Sequence, residues 1–414
     1  MFDPSRAADL PGPDWLRTRR RAAAERVAVA DLPTPDEEVW RYSRIGDFDP
    51  ADWTLDLPAP KGAEPQGLAA QAGLLGPVIR VRNGRIAGVE GELPDGVSIV
   101  PLGEAADGDE LLGRAMSRPT DVFADANTAF SADPVVVRIA ADTRVDVPIQ
   151  VDQWIDADGV AVFPRLIVLA GAHSDATVVD VHGSAPVRAL TAPVTELVAE
   201  PGARLRFFGV QDLAPTVWHI GSQVATIDRD AHLLTSLAAL GGDYARHRVD
   251  TIMAGAGGQG DIVAVYHGAG HQALDFRTFQ DHVAPHTRSE LLFKGAVDDH
   301  SRSIYTGLIR IEKDASDVTA FQTNRNVKLS PHAWAESVPN LEIENNDVRC
   351  SHASAVGPID ADQRFYLESR GVPTAIAERL VVLGFYQEVL DSLPVPAMAA
   401  AIGRVLATRL EIVT

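Results

Sequence analysis

The chain is short of several things, and each shortage removes a class of protein. It has one cysteine in 414 residues, Cys350, so no internal disulfide and no self-contained cysteine-rich metal site can form. Lysine occurs only at 61, 294, 313 and 328, and no basic patch offsets a net charge of −20, from 37 Lys+Arg against 57 Asp+Glu. Such a balance repels phosphate backbones and excludes a nucleic-acid partner. No apolar run reaches the ~18 residues of a membrane span. The first residues carry Asp3, Asp9 and Asp14 where a secretory leader needs a basic and then an apolar stretch, so a cytoplasmic location is expected. Enzyme signatures are missing too: there is no G-x-x-x-x-G-K-[ST] loop, no G-x-S-x-G elbow, no H-E-x-x-H pair and no hexapeptide repeat. The Gly-rich run Gly255–Gly260 lacks the lysine and following helix of a phosphate loop and reads as a turn.

What is present divides into three stretches. Residues 1–125 are a mixed, partly helical leader, with helical spacing from Pro13 to Ala30 and Pro/Gly links at Pro58, Pro60, Pro65 and Gly67. Two strand-like runs, Val78–Arg82 and Ile86–Val89, flank Asn83-Gly84, a hairpin signal because both residues tolerate positive φ. From 126 to 357 short strand-like runs replace amphipathic helices and become periodic. One series begins near Arg204, His232, Asp261, Ser289 and Ser316, spaced 28, 29, 28 and 27. A second is centred on Thr226, Thr251, Thr278 and Thr306, spaced 25, 27 and 28. Two strands per period of about 28 residues is a stacked repeat, because a single coil cannot close a core. Alternation such as Leu205 and Phe207 against Arg204 and Arg206 turns one face inward. The expectation is a mainly β fold: a flattened, right-handed parallel β-helix with about two strands per coil, a two-sheet sandwich being the alternative.

Residues 358–414 return to helical spacing. Asp360 with Gln363 opens a helix that Gly371 ends, and Pro373 begins a second with an apolar face of Ile376, Leu380, Leu383 and Leu390. After Pro394 and Pro396 a third carries Met398, Ile402, Leu406 and Leu410, and the chain closes on Ile412-Val413.

Two groups of residues could carry chemistry. Histidines 267, 271, 282, 286 and 300 cluster, and the period places His219 over His247 and His271 over His300 on one face; loop and coil-edge hydrogen bonding is the structural alternative. The sharper feature is Asp347-Val-Arg-Cys-Ser-His352. In a strand, residues i and i+2 share a side, so Cys350 and His352 present sulfur and nitrogen together, both ligands suited to iron or zinc. A buried cysteine beside a surface histidine would look the same.

The run His282-Val-Ala-Pro-His-Thr-Arg-Ser, then Lys294-Gly295 and Ser301-Arg-Ser-Ile-Tyr-Thr-Gly-Leu-Ile-Arg310, resembles the core of the SufB/SufD family of iron–sulfur cluster assembly. So do Gln322–Ser330, Pro339–Ile343, Asp347–His352, Phe365–Val372 with Gly384-Phe385, and the early Glu38-Val-Trp-Arg-Tyr42. The chain departs from the common pattern at Glu336, Asn345 and Asn346. Its length and single thiol are similar to SufD rather than to the cysteine-richer SufB. The resemblance implies a β-helix between helical regions and a non-enzymatic scaffold of the SUF (SufBCD) complex. It implies SufB pairing near the C-terminal end of the β-helix; a homodimer of the chain alone is left open by the sequence. It also implies the ATPase SufC on the C-terminal helices, through Phe365, Tyr366, Arg370, Gly371, Leu380 and Phe385. A nascent cluster would be shared between subunits, with His352, and Cys350 beside it, as this chain's contribution. A β-helix carbohydrate-active enzyme and a SufB-like paralogue are the alternatives.

Overall fold

The computed structural model describes residues 2–411 apart from 61, 63, 65 and 74, so Pro65 and Ile412-Val413 lie outside the described residues. The periodic region forms two facing sheets that the chain visits alternately. The first has ten strands, running from the hairpin Val78–Arg82/Arg85–Glu90 through Ile149–Ile155 and onward to Val318–Lys328 and Val348–Pro358. The second has eleven and ends on Trp334–Ile343. Pairing is parallel throughout, except in the hairpin and where Val97–Pro101 meets Val135–Ile139. This is a parallel β-solenoid with two strands per coil, as the period predicts.

Alternation decides what each strand buries. Val168, Leu197, Ala225 and Ile227 of one sheet meet Val178, Leu205, Phe207 and Leu233 of the other in a continuous inner core. The corners repeat as well. Asp142, His173, Gly202, Asp230, Gly257, His286 and Asp317 all adopt positive φ at one corner, 27 to 31 residues apart. Asp and Asn tolerate that backbone region better than β-branched residues do, and Gly tolerates it freely. Asn83 and Gly84 also have positive φ, which confirms the hairpin turn.

Two inward glycines are fixed by space rather than by φ. A Cβ on Gly295 would lie 1.8 Å from the Tyr266 ring, and one on Gly307 would lie 1.9 Å from the Gln322 amide. Gly295→Ala is therefore expected to lower stability by about 1–3 kcal/mol through overpacking, read as a lower urea midpoint with an unchanged slope.

The outer faces are covered by the flanking regions. Helices α1 (Asp14–Val29), α2 (Gly67–Ala72), α3 (Gly108–Leu111) and α4 (Val122–Phe130) precede most of the solenoid. Helices α5 (Ala361–Ser369), α6 (Thr374–Leu390) and α7 (Pro396–Arg409) come after it. α1 and α4 cover the second sheet, with Phe123, Phe130, Trp218 and Tyr244 in the shared core. α2, α6 and α7 cover the first sheet, over Val179, Phe208, Ala238 and Val265. None of the described helices is long and apolar enough to cross a membrane. Met398, Ile402, Leu406 and Leu410 of the last helical stretch are buried as expected.

The face of α6 needs correcting. Leu383 and Leu390 of the expected face pack half-buried against the core, but Ile376 and Leu380 are 45% and 41% exposed, and the fully buried residues are Ala377, Val382, Tyr386 and Val389. The helix is apolar on nearly every side, so spacing alone could not choose between its faces.

Burial of imidazoles makes this packing sensitive to acid. The His267 ring shares a hydrogen bond with the Tyr386 hydroxyl of α6 at 3.0 Å, and burial, with Arg409 nearby, pushes it down to about 4. Burial likewise lowers His282, which bonds Thr287 and Ser289 inside the solenoid, to about 4. An unfolded imidazole binds its proton near 6.5, so between about 6.5 and 4 the unfolded state holds more protons. Stability therefore falls as pH drops through that window and stops falling below it, by on the order of 3 kcal/mol per imidazole. Urea midpoints from pH 7 to pH 4 check this, and His267→Gln should flatten part of the slope.

Candidate functional site at the open end of the solenoid

Val348–Pro358 and Trp334–Ile343 are the last strands of their sheets, so one backbone edge of each has no partner within the described residues. Long unpaired edges are templates for further strands, which native proteins usually blunt or cover. Here the end also exposes apolar side chains, with Leu341 at 37%, Ile343 at 42% and Val356 at 41%.

Cys350 and His352 lie on the Val348–Pro358 strand, as expected. The register shows which way they face. His352 pairs with Gln322 and continues an inward row through Leu291, Ile262, Thr235 and Phe207. Cys350 pairs with Ala320 and ends the neighbouring row of Ser289, Gly260, Leu233 and Leu205. Both are thus inner-face positions of a final coil on which no further coil stacks within the described residues. Cys350 is half-buried against Ile309, Ile311 and Ala320, and that burial pushes its thiol up, away from the nucleophilic thiolate. His352 is exposed.

Sequence reasoning did not anticipate what lies beneath them. Gln322 donates to the Tyr305 hydroxyl, which shares a hydrogen bond with Thr278 at 2.9 Å, and Asn326 donates to Asn324 at 2.5 Å. Inward polar residues in the last coils were the available signal: an ordinary closed core would be apolar there.

The residues expected to bind a partner on the C-terminal unit are only partly brought together. Tyr366, Leu380 and Phe385 line a groove of about 1160 Å³ between α5, α6 and the solenoid's last coils, with Lys294 and Arg325 on its far wall. The Lys294 ammonium lies 4.8 Å over the Phe385 ring, donates to the Phe385 carbonyl at 3.1 Å and pairs with Glu388. Arg370 stacks on Tyr366 at 5.3 Å. Phe365, 69% exposed, and Gly371, whose φ of 88° ends α5, lie outside the groove's lining.

The histidine stacks are real. His219 and His247 have ring centroids 4.5 Å apart, and His271 and His300 stack at 5.2 Å with 12° between planes. His332 adds a third rung 4.9 Å from His300, on a cleft also lined by Arg44, Asp243, Arg302 and Trp334. Its distance of 32 residues from His300, beyond the usual period, hid it.

The chain is thus a two-sheet parallel solenoid whose final coil carries a half-buried thiol and an exposed imidazole on its inner face. The comparisons give its family. Residues 153–385 match the family model described as SUF system FeS cluster assembly, SufBD core domain. An iron–sulfur cluster assembly SufBD family protein of Mycobacterium tuberculosis is 34% identical over 314 residues, 74% of this chain and 78% of that one. The iron–sulfur cluster assembly protein SufD of Bacillus subtilis is 30% identical over 260 residues, 62% and 60% of the two chains. SufD of Escherichia coli is 30% identical over 179 residues, 43% and 42%. The chain belongs to the SufB/SufD family of iron–sulfur cluster assembly proteins.

Proposed function

We propose that this chain is a non-enzymatic, SufD-type scaffold subunit of a cytoplasmic SufBCD complex. A SufB-type sister chain covers the open end by adding strands to Trp334–Ile343 and Val348–Pro358, and the chain alone pairs with a second copy there. A SufC-type ATPase docks on α5 and α6, where Tyr366, Leu380 and Phe385 form the apolar side of the groove. The nascent cluster is cargo, held transiently at the subunit junction, with His352 and Cys350 as this chain's ligands.

The observation that carries the reading is the register that ends two inward rows on Cys350 and His352 at an unpaired edge. A cluster typically takes four protein ligands, and one thiol cannot supply them. The remainder must come from another chain or from free thiols, which favours a shared site over a resident one. A junction between two subunits also suits release, since their relative motion exposes the product.

The test is affinity purification of the full chain from its own cells, with identification of co-eluting subunits and assays of iron and acid-labile sulfide. Co-elution of a SufB-type chain and an ATPase, with iron and sulfide present only in that complex, is expected. A full complement of both on the isolated chain would overturn the reading. Leu380→Glu is expected to remove the ATPase from the complex while the chain keeps its thermal midpoint, because Leu380 is 41% exposed and its loss leaves the inner packing of α6 intact.

A further inference from the structure

Inside the solenoid, away from the open end, three imidazoles face one another across the gap between the sheets. His182 comes from Asp175–Ser184 of the first sheet, and His219 and His247 come from Val217–Ile227 and Tyr244–Met253 of the second. The ring centroids of His182 and His219 are 5.9 Å apart, and those of His219 and His247 are 4.5 Å apart. The three residues are 8%, 3% and 8% exposed. They line a cavity of about 60 Å³ together with Asp180, Gln211 and Thr235. That is several times the ~15 Å³ one water needs.

The cavity wall is rich in unsatisfied groups. Nδ1 of His219, Nε2 of His247 and Nε2 of Gln211 are buried with no hydrogen-bond partner. Native interiors leave few such atoms, and a cluster around one void calls for an occupant. Charge points the same way. Asp180 is 2% exposed, and its side-chain partners are the Gln153 amide at 2.8 Å and the His182 Nε2 at 2.9 Å, with no guanidinium or ammonium. A buried carboxylate without a fixed cation is costly, and a cation in the void would offset that cost.

A carboxylate bonded to one ring nitrogen, leaving the other free, is the outer-shell arrangement of a metal-bound histidine. His219 Nδ1 and His247 Nε2 have no hydrogen-bond partner among the described residues, so neither is committed to another group. Two imidazoles on one tetrahedral ion have centroids about 5 Å apart, between the two separations seen. As they stand the rings do not form a closed coordination set among the described residues, and His219 and His247 are tilted by 35°. Metal binding therefore requires those two rings to rotate within the void.

We propose that this cavity is a single-ion site for a divalent first-row transition metal, with His182, His219 and His247 as ligands and Asp180 orienting His182. Imidazole donors select that class of metal over calcium or magnesium. The ion ties the two sheets together from within. The site is separate from His352, so it stands or falls independently of the scaffold reading.

The test uses the full chain without a polyhistidine tag, expressed in cobalt-supplemented medium and dialysed against EDTA. One equivalent of retained Co²⁺ with tetrahedral d–d absorption is expected. The signal should persist in His352→Ala and in His300→Gln of the surface stack, and vanish in His219→Gln. Asp180→Asn retains the ligands and is expected to weaken affinity 10–100-fold, so the test survives if His219→Gln does not fold. Absence of retained cobalt, a signal that survives both His219→Gln and Asp180→Asn, or one lost in His300→Gln would overturn the proposal and leave the void to water.

Discussion

His352→Ala is expected to abolish cluster build-up on the co-purified complex while subunit stoichiometry and the chain's own unfolding midpoint stay unchanged. The side chain is exposed on the terminal strand, so its removal leaves no cavity and no unpaired buried group. Surface substitutions of this kind shift stability by about 0.5 kcal/mol or less. The loss should therefore appear in iron and sulfide content rather than in assembly. Cys350→Ala is expected to reduce cluster yield less, because burial favours the protonated thiol and the sulfur packs against Ile309 and Ile311. If the complex falls apart in His352→Ala, the imidazole is an interface residue and the ligand role fails. A cluster that forms at the normal level with the complex intact would be equally fatal to it.

The repeat was legible in the sequence because a solenoid writes its geometry locally. Each coil needs its own inward Leu, Val or Phe and its own tolerant corner residue, so Leu205, Leu233 and the corner at Gly202, Asp230 and Gly257 recur with the rise of the stack. The shared side of Cys350 and His352 was legible for the same reason, since strand alternation is a local rule. The end of the stack was legible too, because helical spacing replaces the strand pattern after Pro358, the last residue of the Val348–Pro358 strand. Two things were not. The groove joins Lys294, Arg325, Tyr366 and Phe385, which share no period. The packed side of α6 was undecided because the helix is apolar all round, and its docking against Val265 and Ala296 made the choice.

Asp275→Ala should be among the most destabilising single substitutions in the chain. Asp275 is fully buried and accepts hydrogen bonds from Arg246 at 2.8 Å, Arg277 at 2.7 Å and the Tyr244 hydroxyl at 2.8 Å. Burial alone would raise its pKa, but the two guanidiniums outweigh it and hold the carboxyl below its ordinary range. Those same guanidiniums fasten the leader to the solenoid: Arg246 donates to the Val39 carbonyl and lies 3.8 Å over the Trp40 ring, and Arg277 donates to the Arg41 carbonyl. The Glu38–Tyr42 segment is thus held by a three-charge knot of which Asp275 is the only anion. Removing it strands two buried cations, for which a loss of about 3–5 kcal/mol is expected. Asp275→Asn keeps the shape but not the charge, and should lose nearly as much. Trp40 fluorescence, read in a variant whose other five tryptophans are replaced by phenylalanine, provides the local readout. If the leader is anchored through this knot, Trp40 becomes solvent-exposed at lower urea than the solenoid's β-sheet circular dichroism is lost. Coincident transitions at the wild-type midpoint would show that apolar packing around Phe123 and Trp218 holds the leader without it.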